Sequence, residues 1–210
     1  MTRVSVLLRA GLVAACALAV SGCISLLPKT KPAHLYRFGQ TAAAEAVAPS
    51  PAGPVGVIRN AGAFQRESAG DRLLTITGGN AAYVAETRWV APAAVLWDQA
   101  LVAAFDADPG PVRLVSRGEP AAADYVLRVD VRNFETRYEA GPKAAPTVLV
   151  RARAVMIRAE RREVSEQVFE ARVPASGNRV AAIVQAYDKA TADVLGQVVA
   201  WTNGQVRAPA

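Results

Sequence analysis

Few side chains in this sequence can carry covalent or acid–base chemistry, and their positions decide what chemistry is left. The chain has one histidine, His34, and two cysteines, Cys16 and Cys23. Cys23 ends the run Val20-Ser21-Gly22-Cys23, an apolar residue and two small ones before the sulfur. That pattern suits thioether formation on the thiol, cleavage before Cys23 and acylation of the new amino end. The small residues let a peptidase reach the bond. Val13-Ala14-Ala15-Cys16 fits the pattern loosely, but it leaves too little apolar sequence after Arg9. With Cys16 cut away and Cys23 acylated, no thiol remains for a disulfide, a metal or nucleophilic attack.

The segment ahead of Cys23 supports this. Arg3 and Arg9 flank or precede an apolar run from Ala10 to Val20, the shape of a secretory signal. The run is about half of the ~20 residues that cross a hydrocarbon core. Residues 1–22 are thus expected to be a removed signal peptide, and residues 23–33 a lipidated tether in which Pro28 and Pro32 resist helix. Several acyl chains, at ~0.8 kcal/mol per buried methylene, anchor a protein where one chain does not. Ile24 rather than aspartate follows the cysteine, which by the Gram-negative sorting pattern points to the outer membrane, periplasmic face. The membrane, held through acyl chains on Cys23, is the first expected partner.

The remaining inventory argues for a non-catalytic protein. A serine–histidine or cysteine–histidine site would depend on His34 alone. No HExxH, CxxC or EF-hand spacing occurs, so neither metal nor cofactor is expected. Two carboxylates can run glycoside hydrolysis, and Asp98, Asp106, Asp108, Glu135 and Glu139 are the candidates. Each is expected at a solvated helix edge, turn or strand end. Gly78-Gly79 lacks the lysine and helix start of a phosphate loop. The formal charge of +6 is mild and scattered, which gives nucleic-acid binding no support.

Two sets of side chains suit contact instead. Arg128, Arg132, Arg151 and Arg153 would share the wet face of a sheet if their strands pair. Such a stripe can dock an acidic partner or lipid headgroups, or it is a solvated face balanced by Asp130 and nearby glutamates. Of Trp89, Trp97 and Trp201, the last two are expected to pack into a core from helices.

The elements that must hold these residues follow from periodicity. His34–Phe38 and Val55–Asn60 read as strands on either side of a loose Ala/Pro stretch, 41–54. Strand-like runs on both sides of Gly78-Gly79 predict a hairpin. Ala94, Trp97, Leu101 and Phe105 recur at helical spacing behind Pro92, and a strand over Val112–Val115 follows. Leu127, Val129 and Val131 alternate with Arg128, Asp130 and Arg132 until a phase slip near Asn133. Thr147–Ala159 and Glu163–Val173 complete a meander, and Asn178–Thr202 is a long terminal helix. The expected fold is α+β: a largely antiparallel sheet with two helices packed on one face. It would be a single domain over 34–204, with 205–210 as a disordered tail.

Thr77-Gly-Gly-Asn80, then Arg88-Trp-Val-Ala-Pro92 opening a helix, resembles the family of auxiliary lipoprotein components of ABC-type transport systems, the paraquat-inducible C-like lipoproteins. Further matches are Cys23-Ile-Ser-Leu-Leu-Pro28, His34-Leu-Tyr-Arg-Phe38, Ala123-Asp-Tyr-Val-Leu127, Val173-Pro-Ala175, Ala186-Tyr-Asp-Lys-Ala190 and Ala200-Trp-Thr202. The family commonly has phenylalanine where this chain has Tyr187. The resemblance implies a non-enzymatic periplasmic partner of a permease, an ATPase and a mammalian-cell-entry substrate-binding protein, in systems that move lipids or other hydrophobic molecules. It carries over only Cys23 as a functional residue. A homo-oligomer is compatible with it. The alternative is an outer-membrane lipoprotein that regulates envelope assembly, by activating a cell-wall synthase or aiding lipopolysaccharide export.

Overall fold

The computed structural model describes residues 32–39, 55–116, 123–158, 160 and 163–206. In chain order its elements are β1 His34–Tyr36, β2 Val55–Asn60, β3 Arg72–Thr77, β4 Asn80–Trp89, α1 Ala93–Asp106, β5 Val112–Val115, β6 Tyr125–Arg137, β7 Thr147–Arg158, β8 Glu163–Pro174 and α2 Val180–Gln205. The strands form one sheet of eight, and both helices bury their apolar residues in one cluster with its inward face. The α+β architecture therefore stands. The expected signal, residues 23–31 of the expected tether with Cys23 and Ile24, the loop at 41–54 and residues 207–210 of the expected tail lie outside the described residues.

Binary patterning builds the long strands. On β6, Leu127, Val129 and Val131 are buried and Arg128 and Arg132 exposed. The phase slip near Asn133 is a β-bulge between Val131 and Asn133. One extra residue there returns Phe134 and Thr136 to the buried side. Strand β7 pairs antiparallel with β6 from Arg137↔Thr147 to Tyr125↔Arg158, and β8 continues the meander along the far side of β7. The β3–β4 hairpin closes with Thr77 opposite Asn80. Gly78 in that turn has φ +56, a conformation open to glycine without steric cost.

The sheet is more mixed than its meander suggests. Strand β2 lies between β5 and β6, parallel to both; β1 is parallel to β4; and β3 runs parallel to the end of β6 at Thr75↔Thr136 and Ile76↔Arg137. Thus β2 and β3 lie one after the other along one edge of β6, with a bridge between Phe64 and Val131 in the gap. The crossover from β2 to β5 passes through β3, β4 and α1. No compact βαβ signature betrays it.

Helix α1 has no side-chain cap. Its first amides, on Ala93 and Ala94, donate to the carbonyls of Gly70 and Ala69 at 2.9 and 3.2 Å, so loop backbone meets donors that a helix start leaves open. Helix α2 runs three residues beyond the expected Thr202, and Val206 after it is buried.

The connection from β2 to β3 lies directly on β6. A Cβ on Gly62 would stand 1.8 Å from the Val129 carbonyl oxygen, far inside van der Waals contact. Gly62→Ala should force the loop away from β6 and destabilise the domain by about 2 kcal/mol. The expected result is a lower urea midpoint with an unchanged slope.

Candidate functional site

Phe38 and Gly39, directly after β1, are clamped against α2. Phe38 is buried between Trp89 and Phe134, with ring centroids 5.0 and 4.9 Å away. Tyr187 on α2 stacks on the same group, 4.7 Å from Phe134 and 5.3 Å from Trp89. One residue further along, the Asp188 carboxylate accepts the Gly39 N–H at 2.7 Å. Gly39 has φ +75, and an added Cβ would meet the Ala100 Cβ at 2.7 Å, so both conformation and space call for glycine there. The paired residues Tyr187-Asp188 thus hold Phe38 and Gly39 against the terminal helix.

Tyr187 is fully enclosed. Its hydroxyl accepts from Thr136 Oγ1 at 3.2 Å. Burial pushes the phenol well above the ordinary tyrosine value; the Thr136 hydrogen bond opposes the shift and the Glu135 charge adds to it. A raised folded pKa means stability that is fully present below pH ~10, where unfolded tyrosine ionises, and lost as pH climbs from there toward the folded value. Urea unfolding at rising alkaline pH should show this loss, and Tyr187→Phe should show less of it.

The four arginines do share one region of the outward face. Asp130 faces Arg153, and Asn133 faces Arg151 across the β6–β7 ladder. Each has a carboxylate near: Arg151 pairs with Glu170 at 2.9 Å, Arg153 with Glu166, and Arg128 and Arg132 approach the same Asp130 at 3.4 and 3.9 Å. The pairs with Glu170 and Glu166 are exposed and contribute at most about 1 kcal/mol each, whereas the Asp130 carboxylate that Arg128 and Arg132 share is buried.

The carboxylates scatter. Asp98 pairs with Arg59 and Glu139 with Arg172, while Asp106 is exposed. Asp108 accepts the Gly110 N–H and Asn203 Nδ2 at 2.9 and 2.7 Å, which joins the end of α1 to α2. Glu135 departs from the expectation of a solvated strand end: it is 3% exposed. Next to the bulge it receives Gln65 Nε2 at 3.0 Å and Arg137 Nε at 2.8 Å, while Gln65 Oε1 accepts the Phe134 N–H at 2.7 Å. A buried carboxylate needs such donors, and here they fasten the β2–β3 connection to β6. His34 is exposed on β1, and among the described residues no three His, Cys, Asp or Glu side chains could hold a metal. None of their helices is long and apolar enough to cross a membrane.

A cleft of about 800 Å3 opens between α1, the residues after β2, and β6. Phe64, Trp97, Leu101 and Val129 give it apolar walls, and Arg59, Asp98 and Arg128 supply charge. Trp97 lines this cleft as well as packing on the core, whereas Trp89 is wholly internal and Trp201 packs edge-on against Phe169 at 5.9 Å. The cleft was not legible in the sequence. Its only signal is the helical spacing that puts Ala94, Trp97, Asp98 and Leu101 on one side of α1.

Comparison with known proteins agrees with this architecture. The pattern of the family described as ABC-type transport auxiliary lipoprotein component matches residues 69–199. Among solved structures, protein XCC0632 from Xanthomonas campestris is 24% identical, with a TM-score of 0.66 over 82% of this chain and 97% of that one. The hypothetical protein CT253 from Chlamydia trachomatis is 12% identical, with a TM-score of 0.51 over 74% of this chain and 99% of that one. At these identities the likeness is one of fold. No curated protein matches the chain.

Proposed function

The chain belongs to the ABC-type transport auxiliary lipoprotein component family, and on that premise we propose that it is a non-catalytic accessory subunit of a mammalian-cell-entry type transport system. It sits on the periplasmic face of the outer membrane, held by acyl chains on Cys23, and meets transporter subunits on behalf of lipids or other hydrophobic cargo. The family match carries this reading. The scattering of the candidate carboxylates, with Asp98, Glu135 and Glu139 each paired to an arginine, supports it, and so does a fold that spends its polar groups on holding segments together.

The contact face is the outward side of β6 and β7, with Arg128, Arg132, Arg151 and Arg153 meeting acidic groups on the partner. The pairing of β1 with β4 and the clamp at Phe38 and Gly39 suit an anchored protein, because they hold the first strand of the domain in place. Reach is then set by the residues between Cys23 and His34, at most about 3.3–3.6 Å each when extended. Copies of this chain assembling side by side are compatible with the arrangement.

Tagged protein extracted in mild detergent should bring down a mammalian-cell-entry protein or a permease–ATPase pair. Replacing all four arginines with glutamine should weaken that recovery several-fold. Repeated recovery of the tagged protein with no transporter subunit would remove the basis of this proposal.

A further inference from the structure

The cleft beside α1 has no part in the clamp, yet it is built in two halves of opposite character. Trp97, Leu101 and Val129 are each at most 6% exposed and form an apolar floor with Phe64. The charges at the rim are more open: the side chains of Arg59, Asp98 and Arg128 are 25, 49 and 48% exposed. A volume near 800 Å3 falls within the range of sites that enclose small organic ligands. Water is poorly held against such a floor, since each molecule needs two to four polar partners.

Charge at the rim favours an anion. Arg59 is committed to Asp98. Arg128 and Arg132 share the single carboxylate of Asp130, which also accepts the Ala63 N–H at 2.9 Å. Of the cleft's own lining, Arg59 and Arg128 carry two positive charges and Asp98 one negative, and Arg128 shares its nearest carboxylate, Asp130, with Arg132. The indole N–H of Trp97 is buried without an acceptor among the described residues, so what Trp97 offers the cleft is apolar ring surface. The cleft also lies beyond the carboxyl ends of the parallel pair β2 and β5, with Asn60 and Ser116 at its edge. Open sheets commonly take their ligands there.

We propose that this cleft binds a single-chain anionic amphiphile, with the acyl chain against Phe64, Trp97 and Leu101 and the anionic head at Arg128. As a claim about cargo it rests on the transport reading above; as a claim about binding it stands on the cleft. The shared chemistry is one hydrocarbon chain ending in an anion, whether a fatty acid or a lysophospholipid.

The test uses the full mature chain carrying Cys23→Ala, exported behind an ordinary secretory signal and purified without detergent. Nitrogen-15 labelling gives one indole signal per tryptophan, assigned by Trp→Phe substitution. Oleate, titrated below its micellar concentration, should move the Trp97 signal saturably and leave Trp201 in place. Ala94→Phe, which fills the cleft from α1, should abolish the response with the melting temperature kept; Ala61→Phe fills it from the opposite wall should the first variant not fold. Arg128→Gln should weaken oleate binding about tenfold and leave uncharged monoolein unaffected. Oleate and oleoyl-lysophosphatidylglycerol run side by side, and the tighter of the two identifies the source of the chain. No saturable shift, a shift that survives both filled-cleft variants, or equal affinity for oleate and monoolein would each overturn the proposal. Pull-down with the filled-cleft variant separates the two readings. Transporter subunits retained with amphiphile binding lost support the cleft as a ligand site, whereas a normal titration with no subunits recovered counts against the transport reading alone.

Discussion

Tyr187→Ala is expected to destabilise the domain by about 4 kcal/mol, in the range measured for large aromatic side chains deleted from cores. Tyr187 is fully buried, touches the rings of Trp89 and Phe134, and receives the Thr136 hydroxyl. Truncation would leave a void in the middle of an aromatic group and strip Thr136 of its acceptor. Phe38 would lose support one ring away, so the amino-terminal clamp should loosen together with the core. Domains of this size have roughly 5–15 kcal/mol of stability and lose about 2–4 °C of melting temperature per kcal/mol. Calorimetry should therefore show a fall on the order of 8–16 °C. Tyr187→Phe, which keeps the ring, should cost only about 1 kcal/mol. A melting temperature for the alanine variant within two degrees of the parent would mean that α2 does not hold the clamp.

The second large effect is expected at Cys23. Cys23→Ala should abolish incorporation of labelled palmitate in growing cells, because the sulfur and the amino end that carry the chains are no longer made. Exported behind a conventionally cleaved signal, the same variant should move from the membrane pellet to the soluble periplasmic fraction. Its melting temperature should stay that of the parent, since the substitution lies ahead of the clamp at Phe38. The size of the change follows from the anchor itself: at ~0.8 kcal/mol per methylene, several chains hold a protein effectively permanently. If the variant still pellets after the partner genes are deleted, acyl anchorage through Cys23 is wrong.

Local patterning exposed much of the fold. The slip near Asn133 became the bulge between Val131 and Asn133, Gly78-Gly79 became the hairpin turn, and spacing placed both helices. What stayed hidden is non-local. Strand β2 reads as a short apolar run, and nothing in it says that its neighbours are β5 and β6 in parallel. Glu135 reads as a strand-end acid because its donors, Gln65 and Arg137, converge only once the connection after β2 has settled on β6. The same holds for the site. The motif around Tyr187-Asp188 was visible, but its work on Phe38 and Gly39 needed the two ends of the chain to be brought together. The cleft, assembled from three separate stretches, had no linear signature at all.

The bond from Gly39 to Asp188 spans 149 positions, and that separation has a kinetic meaning. Chains whose contacts are distant in sequence fold slowly, because loop entropy is lost before the contacts repay it. In this protein β6 cannot gain its parallel neighbours until long crossovers close, and the amino-terminal segment cannot be locked until the last helix has been delivered. Phe38 and Gly39 are therefore expected to lock late, after the meander of β6, β7 and β8 has had the chance to zip up locally. Pulse-labelled hydrogen exchange during refolding should find the Gly39 amide among the slowest to gain protection.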